Sequence, residues 1–295
     1  MSADFAALGI TVKHGPVEQR VACPQCAKSQ RDDALGVNIE TGAFHCFRCG
    51  WKGRAGGESS EYRPIARIDD PAMVERKRER LRRTWRESVP LSDPKAYAVR
   101  AYLEARALGA VLKDPPSSIR AHPRLSYWDG HGELGAFPAM IAVFCAADGR
   151  PVTLHATYLS SGGCAKAPVP SPKKILGTPI RGATKGGAVR LHQPRYAVLG
   201  VAEGIESALS LCLLKQVPVW AAFCADNLAR IQIPGHVRKL YIGVDIDESG
   251  KGQTVARSLA DRAMRLPQRP EVHLVEPEGT GSRDLNDQLR RSRAS

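Results

Sequence analysis

Residues 239–254 read KLYIGVDIDESGKGQT. The apolar run from Lys239 to Val244 is followed at once by Asp245 and Asp247 and then by glycine, the pattern of a buried strand whose carboxyl end carries charge. A helical pattern follows over Gln253–Arg265, and a further apolar run over Val272–Val275. Upstream, Tyr196–Ala202 reads as a strand, Ile205–Lys215 as a helix and Pro218–Ala222 as a strand. This alternation predicts an α/β unit with a mainly parallel sheet. Ligands in such sheets meet the carboxyl ends of the strands. Glu203 follows the first strand in VAEG, Asp245 and Asp247 follow the third in IGVDID, and Asp284 lies after the fourth in SRDLND.

In an extended segment residues i and i+2 face the same side, so Asp245 and Asp247 are expected to share a cation, and carboxylate oxygens suit Mg2+. The competing reading is helix capping, by Asp247 or Glu248 near Gly250 and by Asp284 at the last helix. Gly250-Lys251-Gly252 invites comparison with a phosphate-binding P-loop and fails it. G-x-x-x-x-G-K-[ST] demands Gly at 245 and Ser or Thr at 252, where the chain has Asp245 and Gly252. What remains is a glycine-flexed helix start whose N–H groups, with Lys251, are candidates for holding a phosphate.

Near the N-terminus Cys23-Pro24-Gln25-Cys26 and Cys46-Phe47-Arg48-Cys49 form C-x2-C-x19-C-x2-C. Two such knuckles complete a tetrahedral sulfur shell, so Cys23, Cys26, Cys46 and Cys49 are expected to hold a structural Zn2+ with no open position for a reacting water. Ala34–Ile39 and Gly42–His45 read as strands around a turn at Glu40-Thr41-Gly42, giving a small β ribbon. His45 is a less suitable ligand, because four thiolates already fill the shell. Phe44, Phe47 and Trp51 alternate with Arg48 and Lys52, which suits either base stacking with phosphate contact or the ribbon's own core. The remaining cysteines, Cys145, Cys164, Cys212 and Cys224, are scattered singly and read as core or loop residues.

The whole chain has 295 residues, 43 Lys+Arg against 30 Asp+Glu and a formal charge of +13. That field attracts polyanions, and nucleic acid leads the list of partners. No stretch is apolar enough for a membrane span, and MSADFAALGI lacks the features of a signal peptide, so a cytoplasmic location is expected. The segment 52–64, KGRAGGESSEYRP, reads as a flexible tether. Val74–Arg86 carries seven basic and two acidic residues, with Val74, Leu81 and Trp85 as a narrow apolar stripe on a basic helix. Asp93 as N-cap, Pro94 and then Gly109 bound a second helix with Ala96, Val99 and Leu103 on one face. Pro138–Phe144 and Pro151–Leu159 form a hairpin around Asp148-Gly149. Gly162–Gly187 is a long basic loop bearing Lys166, Lys173, Lys174, Arg181 and Lys185.

VAEGIESALSL, VPVWAAFCADNL, GVDIDESGKGQTVA and DLND together resemble the Toprim domain of primases, especially those of phages, satellite phages and plasmids. CPQC and HCFRCGW resemble the zinc ribbon of the same enzymes. YLEARAL, PAMIAVF, HATYL, KKILG and GGAVRLH are similar to the segments linking the two parts. The resemblance implies that Glu203 is a general base or metal ligand, that Asp245 and Asp247 bind Mg2+, with Mn2+ as an alternative, and that Asp284 corresponds to the acid of the last motif. Bacterial replicative primases carry two aspartates one residue apart in that motif. Here the chain reads Asp284-Leu285-Asn286-Asp287, with the Asn that phage helicase-primases also have.

The expected architecture is therefore α+β and multidomain. It comprises a zinc ribbon at 1–57, a linker and basic helix at 58–92, a mixed primase middle subdomain at 93–193 and a C-terminal α/β Toprim domain at 194–295. The expected activity is synthesis of short RNA primers on a single-stranded DNA template from ribonucleoside triphosphates. Lys173, Lys174, Arg181 and Lys251 would hold triphosphate or template, and Arg48 and Trp51 would contact DNA in the ribbon. The chain ends without a helicase domain, so a separate replicative helicase is the expected partner. Two rivals are a Toprim nuclease using the same acids on DNA and a non-catalytic zinc-ribbon accessory whose acids are helix caps.

Overall fold

The computed structural model describes residues 5–27, 32–56, 70–129, 132–180, 182–279, 281 and 283–293. The chain divides into two compact units, at residue 68. No helix among the described residues is long and apolar enough to cross a membrane.

The first unit is an antiparallel sheet of β1 (Glu18–Val21), β2 (Leu35–Asn38), β3 (Ala43–Cys46) and β4 (Lys52–Arg54), in that order. The two expected strands are present as β2 and β3, joined where Thr41 N–H donates to Asn38 Oδ1 and Gly42 takes a φ of 71°. β4 draws Lys52–Arg54 out of the expected tether and into the sheet, because Ala43–His45 offers it a pairing edge. The rest of that tether, from 57 on, lies outside the described residues. Phe5, Ile10, Leu35, Val37, Phe44 and Trp51 form the small core. A unit this size buries little apolar surface, and its core is correspondingly small.

The second unit opens with α1 (Pro71–Glu87), capped by Asp70, whose side chain accepts from Ala72 N–H. Its Val74 and Leu81 are buried and its charges face outward. Asp93 caps a 3-10 turn at Pro94–Ala96 that runs into α2 (Tyr97–Ala105). Ala96, Val99 and Leu103 are buried as their spacing requires. The helix ends before Gly109, since Ala107 already has a left-handed φ of 57° and Gly109 opens another 3-10 turn.

β5 (Ile119–Trp128), β6 (Glu133–Cys145), β7 (Pro151–Tyr158) and β8 (Lys173–Ile175) form an antiparallel set, and β9 (Ala188–Arg190) returns beside β6. The 145–151 turn of the predicted hairpin contains Gly149 at φ 92°, and β8 interrupts the long basic loop. The chain then builds β10 (Val198–Ala202), α3 (Ile205–Lys215), β11 (Val219–Ala221), α4 (Ala225–Leu228), β12 (Lys239–Gly243), α5 (Lys251–Met264), β13 (Glu271–Val275) and α6 (Leu285–Ser292). β10 pairs in parallel with both β11 and β12, and β12 with β13.

β9 pairs antiparallel with β11, so the antiparallel and parallel parts are one nine-stranded sheet, ordered β13-β12-β10-β11-β9-β6-β7-β8 with β5 beside β6. Its parallel part is covered on both faces, which explains the unbroken apolar runs. Ala202, Ala208, Leu211, Leu285 and Leu289 pack on one side, and Leu199, Val201, Ala256, Leu259 and Ala263 on the other. Gly200 permits the first contact: a Cβ there would lie 2.9 Å from Leu211 Cδ2 and from Val219 Cγ1.

Candidate active site and metal centres

Glu203 leaves the carboxyl end of β10, Asp245 lies two residues past β12, and Asp284 is the N-cap of α6. Parallel pairing aims these ends the same way, and all three acids line one cavity of about 150 Å³. Asp284 also accepts from Asp287 N–H at 2.8 Å, so it caps a helix and faces the cavity together. Asp245 is strongly perturbed. Burial, then the charges of Glu203 and Asp284, push its pKa up to about 7. Its Oδ1 is buried with no hydrogen-bond partner. Glu203 is also raised, first by burial.

Asp247 goes elsewhere. β12 stops at Gly243, so the Asp245–Asp247 segment is not a strand and the i, i+2 rule does not govern it. Asp247 is exposed, absent from the cavity lining, and accepts from Lys251 N–H at 3.1 Å, Gly252 N–H at 2.8 Å and Ser249 Oγ at 2.5 Å. Those bonds, led by Ser249, hold its pKa down at about 2. Asp247 thus caps α5, the competing reading of this residue, while its charge still acts on Glu203. The same bonds occupy the N–H groups expected to hold phosphate at Gly250-Lys251-Gly252. The Lys251 ammonium pairs with Asp226 at 3.1 Å.

Three cations and a fourth acid complete the cavity: Arg106, Lys166, Lys173 and Glu206. Glu206 is buried, accepts from Tyr102 Oη at 2.7 Å and pairs with Lys173 Nζ at 2.9 Å. Despite burial, the Lys173 charge and these bonds hold its carboxyl well below the usual range. Lys173 is therefore committed to Glu206. Lys174, its neighbour on β8, donates to Trp128 O and lies 3.8 Å from the Tyr127 ring centroid, outside the cavity lining. Arg181 lies outside the described residues.

Of this lining, the sequence assigned no role to Glu206, Arg106 or Phe223, whereas Lys166 belongs to the expected basic loop and Asn286 to the last acidic motif. Glu206 has a local signal as the second acid of VAEGIESALSL.

In the first unit the four cysteine sulfurs lie within 4.8 Å of one another, with Cys23–Cys49 at 3.8 Å and Cys26–Cys46 at 3.5 Å. Tetrahedral Zn–S bonds of about 2.3 Å place sulfurs about 3.8 Å apart, so the spacing suits that geometry. Among the described residues these cysteines are the one such cluster of His, Cys, Asp or Glu side chains. The carboxylates of the second unit are not drawn together in that way. Mg2+ keeps several waters and takes one or two carboxylates, so it needs no closed protein cage. The orphaned Asp245 oxygen and the mutual repulsion of the acids fit a divalent cation.

Arg48 pairs with Asp32 and donates to Cys26 O at 3.1 Å, bracing one knuckle against the other. Trp51 is 6% exposed, with its ring centroid 4.4 Å from that of Phe44. It packs in the ribbon core, one of the two readings the sequence left open for these aromatics. Phe47 is the exposed aromatic, with the Arg20 guanidinium 3.9 Å above its ring.

Residues 198–294 match the family model described as Toprim domain. The C-terminal segment is a Toprim domain. The acids of the cavity belong to it, whereas Arg106, Lys166 and Lys173 come from residues 75–191, which match a domain of unknown function (DUF7146). No curated protein matches the chain in sequence. Solved structures similar to it include the primase fragment of the bacteriophage T7 primase-helicase protein, at 12% identity and TM-score 0.39, covering 94% of this chain and 96% of that one. The Aquifex aeolicus primase (zinc-binding and RNA polymerase domains) is similar at 16% identity and TM-score 0.42, over 99% and 81%. A DnaG primase catalytic domain bound to ssDNA is similar at 12% and 0.45, over 74% and 76%.

Proposed function

We propose that the protein is a DNA primase, a nucleotidyltransferase that makes short RNA primers on single-stranded DNA. The observation that carries the reading is the convergence of Glu203, Asp245 and Asp284 on one cavity of a Toprim domain, with an Asp245 oxygen buried and unpartnered. These three residues would hold Mg2+, which when bound neutralises triphosphate charge and acidifies a ribose 3′-hydroxyl. Lys166 and Arg106 present positive charge to phosphates in the same cavity. Lys173 keeps Glu206 ionised and thereby fixes the floor beneath them. Glu203, whose pKa burial raises, would take the hydroxyl proton on a carboxylate oxygen. In the other unit Cys23, Cys26, Cys46 and Cys49 would hold a structural Zn2+, with Phe47 and Arg20 outside it as a surface for single-stranded template. A separate helicase would supply unwinding.

The test incubates the full chain with single-stranded DNA of varied sequence, four ribonucleotides and Mg2+. Short RNA products are expected from the wild type and none from Asp245→Asn. Shortening of the DNA, lost in the same variant, would establish a nuclease instead. An Asp245→Asn variant that makes primers normally would refute the assigned chemistry.

A further inference from the structure

Phe223 follows the carboxyl end of β11 and lines the acid cavity. Its φ is 78°, in the left-handed region that a bulky L-residue adopts only under strain. The backbone is pinned there by its own N–H, which donates to Glu203 O at 2.8 Å. The position of the ring is therefore tied to the acid that leaves β10. On its other side the ring meets His155 of β7 edge-on, centroids 5.2 Å apart. His155 is 3% exposed, and its Nδ1 has no hydrogen-bond partner. Burial keeps this imidazole neutral, with its pKa pushed down to about 4, so it supports the ring by shape. Glycine would take this backbone conformation without strain, and strain of this kind collects at functional sites.

We propose that Phe223 is a stacking surface for the nucleobase of the nucleotide whose phosphates enter the acid cavity, with His155 as its positioning residue. The proposal rests on the nucleotidyl-transfer reading above. An aromatic face suits that task because every base has a π-face, so stacking holds the nucleotide without choosing its sequence.

The test measures binding of ATP and of inorganic tripolyphosphate to the full chain with Mg2+ by calorimetry. Phe223→Gly is expected to weaken ATP on the order of tenfold while leaving tripolyphosphate unchanged. Phe223→Leu, which keeps bulk without an aromatic face, should behave likewise, and Phe223→Tyr should restore ATP binding. Thermal midpoints of the variants confirm folding. In primer synthesis Phe223→Gly should raise KM for ribonucleotides with little change in kcat, and His155→Leu should move KM in the same direction by less. Unchanged ATP affinity in both Phe223→Gly and Phe223→Leu overturns the proposal. So does equal weakening of ATP and tripolyphosphate, or a wild type that binds no ATP. Phe223-dependent ATP binding by a protein that makes no primers would sustain the stacking role and refute the primase reading. Primer synthesis with ATP affinity indifferent to Phe223 would do the reverse.

Discussion

Glu206 shows what a buried carboxylate needs. Its charge persists because Lys173 and Tyr102 face it, and removing one partner leaves the other stranded. Lys173→Met should destabilise the protein by about 2–4 kcal/mol, less than a fully buried pair because the lysine is partly exposed. Lys173→Met with Glu206→Gln should recover much of that loss in a denaturant titration. The depressed Glu206 pKa contributes stability above the unfolded carboxyl pKa, and that contribution is lost as pH falls through the folded value. His155 behaves differently, with Glu206 on α3 and Lys173 on β8 as its charged surroundings. Its folded pKa of about 4 lies below the ordinary histidine value, so the unfolded chain binds a proton first as pH drops. Stability should fall by up to about 3 kcal/mol from this residue between roughly pH 6.5 and 4. His155→Phe should flatten the melting-temperature profile over that window. Glu203, Asp245 and Asp284 were legible as site residues because each stands just past a strand or at a helix start. Phe223 was not, since nothing within a few residues marks what it will face, and Lys166 was legible only as one charge in a long basic loop.

The start of α5 separates two readings that the sequence left open for Asp247. Its carboxylate closes the helix N-terminus, and the approach is tight: a Cβ on Gly252 would lie 2.1 Å from Asp245 O. Asp247→Ser retains a capping oxygen and should keep stability within about 1 kcal/mol, while Asp247→Ala should lose about 0.5–2 kcal/mol. If Asp247 is a cap alone, Asp247→Ser also retains primer synthesis; a metal-binding role would abolish it. α1 presents a second contrast. Most of its arginines are engaged with acids of the same helix, as in Arg82–Glu75 at 2.7 Å and Arg86–Glu79 at 2.5 Å. Arg76→Ala with Lys77→Ala should leave the melting temperature unchanged and lower the salt slope of single-stranded DNA binding by about 1.4. Periodicity located α1 and α5 well, but ion pairing and capping depend on side-chain reach that periodicity does not encode.

At the scale of the molecule, the two units draw on different sources of stability. The second has large cores on both faces of its sheet, and the first has a small core and four cysteines. Chelation of a metal-loaded sample, or Cys46→Ser, should therefore melt the first unit while the second keeps its cooperative transition. Amide exchange resolved along the chain would follow both, and protection of residues 32–56 that survives chelation would remove the metal from the account. The second unit also joins two sequence families in one sheet, through the pairing of β9 with β6 and β11.

The strands and helices of the Toprim domain, and the cysteine knuckles, follow from local chemistry: apolar run length, capping residues, and thiolates spaced for one ion. Those signals lie within a few residues of each other, so the linear chain carries them. The cavity does not follow in the same way. Its cations arrive from a region more than thirty residues before Glu203 or across a sheet edge, as Lys173 does to reach Glu206 over 33 positions. The strained Phe223 and the diversion of Asp247 into a cap depend on where strands end and what packs behind them. Such juxtapositions are set by long-range pairing and packing, and became visible only when the sheet was assembled.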